Sequence, residues 1–162
     1  ARRTRRAKPC IPSASIVYVD TNVMLYAEDR AHAAKHVRAR DWLRALWQRR
    51  CGRLSTQVLN EFYVNATRKL QPPMPAGDAR AEVRRYQGWQ PWTVDHATVE
   101  SAWAVESRFG LHYWDALMIA AAQQQGCTLL LTEDLQHDQQ IDKLRIVNPF
   151  LVGPELLDTA TP

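Results

Sequence analysis

Four carboxylates, Asp20, Glu61, Asp115 and Asp134, are the residues of this 162-residue chain whose placement suits chemistry. Asp20 directly follows the apolar run Ile16-Val17-Tyr18-Val19, and Asp134 follows Leu129-Leu130-Leu131-Thr132. Both therefore sit where strands of an open parallel sheet end, the place where such sheets bind ligands. Asp115 falls in the first turn of an otherwise apolar helical stretch, and Glu61 lies one turn into another, with Val58 and Asn65 as its nearest helical neighbours. Brought together, two carboxylates about 4 Å apart repel by roughly 4 kcal/mol at an effective dielectric of about 20, a cost that a cation or a proton must offset. Oxygen-only ligands suit Mg²⁺ or Mn²⁺, and an ion that keeps several waters leaves room for phosphate oxygens. The chemistry indicated is metal-assisted work on phosphodiesters. Taken singly, each acid has a plainer use: Asp20 and Asp115 as helix N-caps, Glu61 as a solvent-facing charge, Asp134 as a turn residue.

The elements that must position these acids alternate between strand and helix. The run from Ile16 to Val19 has no polar alternation and predicts a strand buried on both faces, followed by a helix over Val23 to Ala27. A helix is expected from about Ala33 to Gln48, with Ala39, Leu43, Leu46 and Trp47 on one face, broken by Gly52. Arg53 to Ser55 reads as a brief strand, and Thr56 caps a helix carrying Leu59, Phe62, Tyr63, Ala66 and Leu70. After the Pro72, Pro73, Pro75 and Gly77 loop, Asp78 to Gln87 reads as helix and Trp89 to Val94 as another short strand. Asp95 caps a helix with Ala102, Val105 and Phe109 on one stripe, ending near Gly110. Tyr113 to Gln125 brings Ala116, Ala120, Ala121 and Ala122 to a sheet and stops at Gly126; strands follow at Thr128 to Thr132 and Arg145 to Val147. The pattern is an α/β domain with a mainly parallel central sheet of four to five strands.

Composition excludes several classes. The chain is 46% hydrophobic and 23% charged, an ordinary globular balance for one domain, and has no run of about 20 apolar residues that would span a bilayer. Cys10, Cys51 and Cys127 are odd in number and lack metal-ligand spacing, which points to neither a disulfide framework nor a zinc knuckle. Arg2, Arg3, Arg5, Arg6 and Lys8 carry five positive charges, more than the whole net charge of +4, so the basicity belongs to an arm over residues 1–15. The arm is expected to be disordered, with a phosphate-attracting tether as the alternative. No apolar stretch of secretory length follows it, and a cytoplasmic location is expected.

The words Val19-Asp20-Thr21-Asn22, Ser55-Thr56-Gln57-Val58-Leu59-Asn60-Glu61-Phe62, Tyr113-Trp114-Asp115-Ala116-Leu117 and Leu131-Thr132-Glu133-Asp134-Leu135, in this order, resemble those of a PIN domain. With the closing Val147-Asn148-Pro149-Phe150 they resemble the VapC-type toxins, over residues 16–150, leaving residues 151–162 as a tail. The resemblance implies a three-layer α/β/α fold and a single-strand-directed ribonuclease in which Asp20, Glu61, Asp115 and Asp134 hold one or two Mg²⁺ or Mn²⁺ ions. Asp20 and Asp115 are expected as inner ligands, Glu61 and Asp134 as groups that orient water or a second ion, and Asn22 and Thr132 as supporting polar residues. It further implies hydrolysis leaving a 5′-phosphate and a 3′-hydroxyl, a structured RNA substrate such as tRNA, a homodimer, and silencing by a VapB-type antitoxin. Asp138 stands where relatives commonly have a small residue such as glycine, and is expected as an extra carboxylate near the pocket rim.

Other signals point less far. His32 and His36 are four apart, yet lack a third ligand or a His-Glu-x-x-His pattern, and read as surface histidines. Trp42, Trp47, Trp103 and Trp114 fall within helices and are expected in the core or an interface; Trp89 and Trp92 could stack on bases, with core the better reading. The helical arginines, including Arg80, Arg84 and Arg85, read as solvated faces. An aspartyl-phosphate phosphotransferase would carry a second acid where Asn22 stands, and a receiver domain would use Lys143 as its only late lysine; both fit poorly. The non-enzymatic alternative is an RNA-binding or scaffold module of the same fold.

Overall fold

The computed structural model describes residues 15–159; the basic residues of the arm and Cys10 lie outside the described residues. Strand β1 (Val17–Val19) leads directly into α1 (Thr21–Tyr26), and α2 (Ala33–Arg49) returns the chain to β2 (Gly52–Arg53). Helices α3 (Thr56–Arg68), α4 (Ala76–Arg85), α5 (His96–Phe109) and α6 (Tyr113–Gln124) follow, then strands β3 (Leu129–Leu131), β4 (Gln140–Ile141) and β5 (Leu144–Val147). A 3-10 turn spans Pro154–Thr159 and packs its Leu157 inward, with Arg49 of α2 paired to Asp158.

The sheet order is β2-β1-β3-β5-β4, parallel except for β4, which runs antiparallel to β5. Every residue of β1 and β3 is buried. Since successive side chains of a strand point to opposite faces, both faces of the sheet must be covered by helices, as the apolar runs predict. Helix α6 buries Ala116 through Ala122 without interruption, its four alanines allowing close approach, and packs on α5. On a separate set of contacts, α3 packs on α1 and α4, and α1 on α2.

Several expectations need correction. Helix α1 begins at Thr21, two residues before the expected start. Helix α2 is ended by Arg50, which takes the left-handed conformation at φ 54°, while Gly52 lies in β2 for another reason. A Cβ on Gly52 would stand 2.5 Å from the buried indole of Trp89, so only glycine lets β2 pass beneath that ring. The segment from Trp89 to Val94 is not a strand. Tyr86–Trp89 forms a 3-10 turn, with Trp89 packed 5.1 Å from the Trp47 ring and 4.9 Å from that of Tyr86. Pro91 withholds a ladder donor, and a single parallel bridge, Ser55 to Trp92, remains. The two-residue β4 has no signature in the sequence.

The expected cap holds: Asp95 Oδ1 accepts from Thr98 N at 2.9 Å, and Gly110 ends α5 at φ 64°. Cys51 and Cys127 are free and buried, and burial pushes the Cys127 thiol up to about 12. Among the described residues no helix is long and apolar enough to cross a membrane.

Candidate active site

The parallel register of β1 and β3 matches Val19 with Leu131, so the residues just beyond them, Asp20 and Thr132, face each other. Asp20 N donates to Leu131 O at 3.0 Å, and the buried Thr132 hydroxyl donates to Asp20 Oδ2 at 2.8 Å. The same hydroxyl oxygen accepts from Asp134 N at 3.1 Å, so one side chain ties together the ends of both strands. Asp20 stands at the N-cap position of α1, yet its carboxylate makes no capping bond. It is only 7% exposed. Burial pushes its carboxyl up to about 7, against the pull of the Thr132 hydroxyl and with the help of negative charge on Asp134 and Glu61.

Glu61 is held from two sides. Thr21 Oγ1 donates to its Oε2 at 2.8 Å, and Gln57 Nε2 to its Oε1 at 3.1 Å. Gln57 Nε2 also reaches Trp114 O at 3.2 Å, so this amide couples α3 to the first turn of α6, where Asp115 sits. Glu61 is thus half-buried and fixed rather than a loose surface charge. Asp115 is raised by burial first, then by the charges of Asp134 and Glu61, with His112 opposing. Asp134 is exposed and accepts from Asn22 Nδ2 at 3.2 Å.

These acids therefore come from four separate segments and share one electrostatic neighbourhood. Among the described residues none of the four forms an ion pair with lysine, arginine or histidine. Glu133, the neighbour of Asp134, is instead committed to Lys35 at 2.7 Å, and Lys35 lies over the rings of Tyr26 and Phe150. Like charges held together, two of them with raised pKa and none matched by a cation, are a donor set that fits a hard divalent ion. Among the described residues no three acidic, histidine or cysteine side chains already stand close enough to cage an ion. An ion on this site would thus be gripped by few protein oxygens and keep waters, as Mg²⁺ ordinarily does.

The residues that sequence reasoning missed are Thr21 and Gln57. Gln57 had a readable signal, since it lies one helical turn before Glu61 on the same face; Thr21 had none beyond its place beside Asp20. Asp138 does not join the acids. Its backbone is left-handed at φ 65°, a conformation that favours glycine, and its carboxylate pairs with Arg145 at 2.6 Å.

His32 and His36 turn to different partners, Asp29 and the Tyr26 carbonyl, and do not converge. Trp42, Trp47, Trp89 and Trp92 are wholly or partly buried in the core. Trp103 and Trp114 are exposed on the surface.

Comparison with known proteins supports the same architecture. A family model described as PIN domain matches residues 17–142. Among solved structures, the crystal structure of VapC20 from Mycobacterium tuberculosis, a sarcin–ricin loop cleaving toxin, is similar to this chain with a TM-score of 0.56 and 22% identity. The likeness covers 73% of this chain and 91% of that one, and it is a likeness of fold. No curated protein sequence matches the chain.

Proposed function

We propose, from the premise that this chain belongs to the PIN-domain family, that it is an Mg²⁺- or Mn²⁺-dependent endoribonuclease and acts as the toxin of a type II toxin–antitoxin pair. The observation that carries the reading is the shared electrostatic neighbourhood of Asp20, Glu61, Asp115 and Asp134, none of which forms an ion pair among the described residues. Asp20 and Asp115 would hold the ion, and Glu61 and Asp134 would hold its waters or a second ion. What a bound divalent ion supplies is polarisation of the phosphate and of the attacking water.

The chain's own residues do the rest. Thr132 keeps the Asp20 carboxylate aimed by donating to one of its oxygens. Thr21 and Gln57 each engage one oxygen of Glu61 and fix its plane, which matters because a carboxylate that orients water must be held within a narrow range of angles. Asp134, exposed and steadied by Asn22, is the acid placed to meet incoming RNA and solvent. Asp20 with its carboxyl near 7 is poised to exchange a proton for a cation around neutrality. Hydrolysis by water attack on phosphorus with departure of the ribose 3′ oxygen would leave a 5′-phosphate and a 3′-hydroxyl.

In keeping with the fold likeness to a toxin described as cleaving the sarcin–ricin loop, the substrate is a structured RNA, tRNA among the candidates. A VapB-type antitoxin, a homodimer and a cytoplasmic setting complete the proposal. The test is cleavage of a tRNA pool by purified protein with Mg²⁺, Mn²⁺ or EDTA, beside Asp115→Asn and Asp20→Asn. Metal-dependent cuts with 5′-phosphate ends that vanish in both variants are expected. Cuts that persist in EDTA and in the variants would overturn the mechanism; RNA binding without cuts under any metal would favour the non-catalytic module.

A further inference from the structure

Beside the acids, a groove of about 580 Å³ runs between α3 and α6. Its walls are Thr56, Gln57 and Asn60 on one side and Trp114 and Leu117 on the other, with Val94 at one end and Glu61 shared with the acidic neighbourhood. The volume falls within the range of about 300–1,000 Å³ of clefts that hold small ligands. Trp114 is 63% exposed, the residue directly before Asp115, and its ring meets Tyr113 edge-on at 5.2 Å. Gln57 bridges the Trp114 backbone carbonyl and the Glu61 carboxylate, so the backbone that carries the indole is tied to the acids.

We propose that this groove, resting on the nuclease reading above, receives the unpaired nucleobase flanking the scissile phosphate, with Trp114 as its stacking platform and Asn60 as the group that meets its edge. Charge selects the occupant. Among the described residues the groove has no lysine or arginine in its walls and one carboxylate, so these walls repel the phosphate of a nucleotide but not the neutral, flat base. Base stacking on an aromatic face is sequence-tolerant, and the exposed amide of Asn60 offers both a donor and an acceptor to whichever base edge is presented. Continuity through Glu61 places the next phosphate along the strand toward the acids.

The test uses a short unstructured oligoribonucleotide with Mn²⁺, and the same strand with an abasic ribose stepped through each position near the cut. Trp114→Ala is expected to raise KM by roughly 5- to 150-fold with kcat little changed, Trp114→Phe to recover most of the loss, and Asn60→Ala to raise KM more modestly. At one position beside the cut, the abasic ribose should raise KM for the wild-type chain and have no further effect on Trp114→Ala. Thermal melts of each variant separate lost binding from lost folding. An unchanged KM in a folded Trp114→Ala, or loss of self-association or antitoxin binding alone, overturns the subsite.

Binding of the labelled strand by fluorescence anisotropy in Ca²⁺ provides the readout that does not depend on cleavage. A wild-type chain that binds in Ca²⁺ but does not cut in Mn²⁺ or Mg²⁺, with binding weakened in Trp114→Ala, upholds the base subsite and sinks the nuclease reading. A chain that does neither sinks both.

Discussion

A carboxyl pushed up to about 7 by burial gives Asp20 a measurable signature in the metal-free protein. Between the ordinary carboxyl value near 4 and about 7 the folded state keeps a proton that the unfolded chain has released, so stability falls as pH rises through this window and levels off above it. The full penalty is on the order of 4 kcal/mol, and the raised Asp115 adds in the same direction. Urea titrations in EDTA from pH 4.5 to 8 should show the decline, and Asp20→Asn should remove most of it; a variant with the wild-type slope would locate the titrating group elsewhere. Thr132→Val deletes the hydroxyl that holds the Asp20 pKa down, so its decline should extend to higher pH. Asp20 and Asp134 were legible because an acid just past an apolar β-branched or leucine run has a local signature. The exposure of Trp114 and the bond from Thr21 to Glu61 were not, because both depend on contacts set by chain far away in sequence.

At the scale of elements, the two buried strands and the alanine-rich α6 were readable because their environment is uniform, apolar on every side. The segment from Trp89 to Val94 misled for the opposite reason. Its aromatic and β-branched composition suits a strand, but the Trp47, Tyr86 and Trp89 cluster claims its first residue and Pro91 interrupts pairing. That cluster makes Gly52 a fixed point. Gly52→Ala should cost about 3 kcal/mol, since Trp89 is wedged between two other rings and cannot retreat, and the melting temperature should fall by roughly 6–12 °C. A variant that melts with wild type would mean the indole does yield. Asp95→Ala, which removes the α5 cap, should lower the melting temperature by less than Gly52→Ala does.

For the molecule as a whole, cation binding and folding should be linked. At pH 8, above the raised value of about 7 for Asp20, Mn²⁺ at about 100 times its dissociation constant should add about 2.7 kcal/mol, on the order of 5–10 °C in melting temperature. The gain should shrink at pH 5, where protons compete, and disappear in a double Asp20→Asn, Asp115→Asn variant; an equal gain there would place the ion elsewhere. The margins of the sheet bear on a different property. Both edge strands, β2 and β4, are two residues long, and the chain around Trp92 covers the outer side of the turn after β2 by bonding to Leu54 O and Thr56 N. An incoming strand would find too little unpaired backbone to template on, so concentrated folded protein should resist fibril growth and leave thioflavin fluorescence at baseline. Among the described residues, surfaces for assembly are therefore offered by side chains rather than by extension of the sheet.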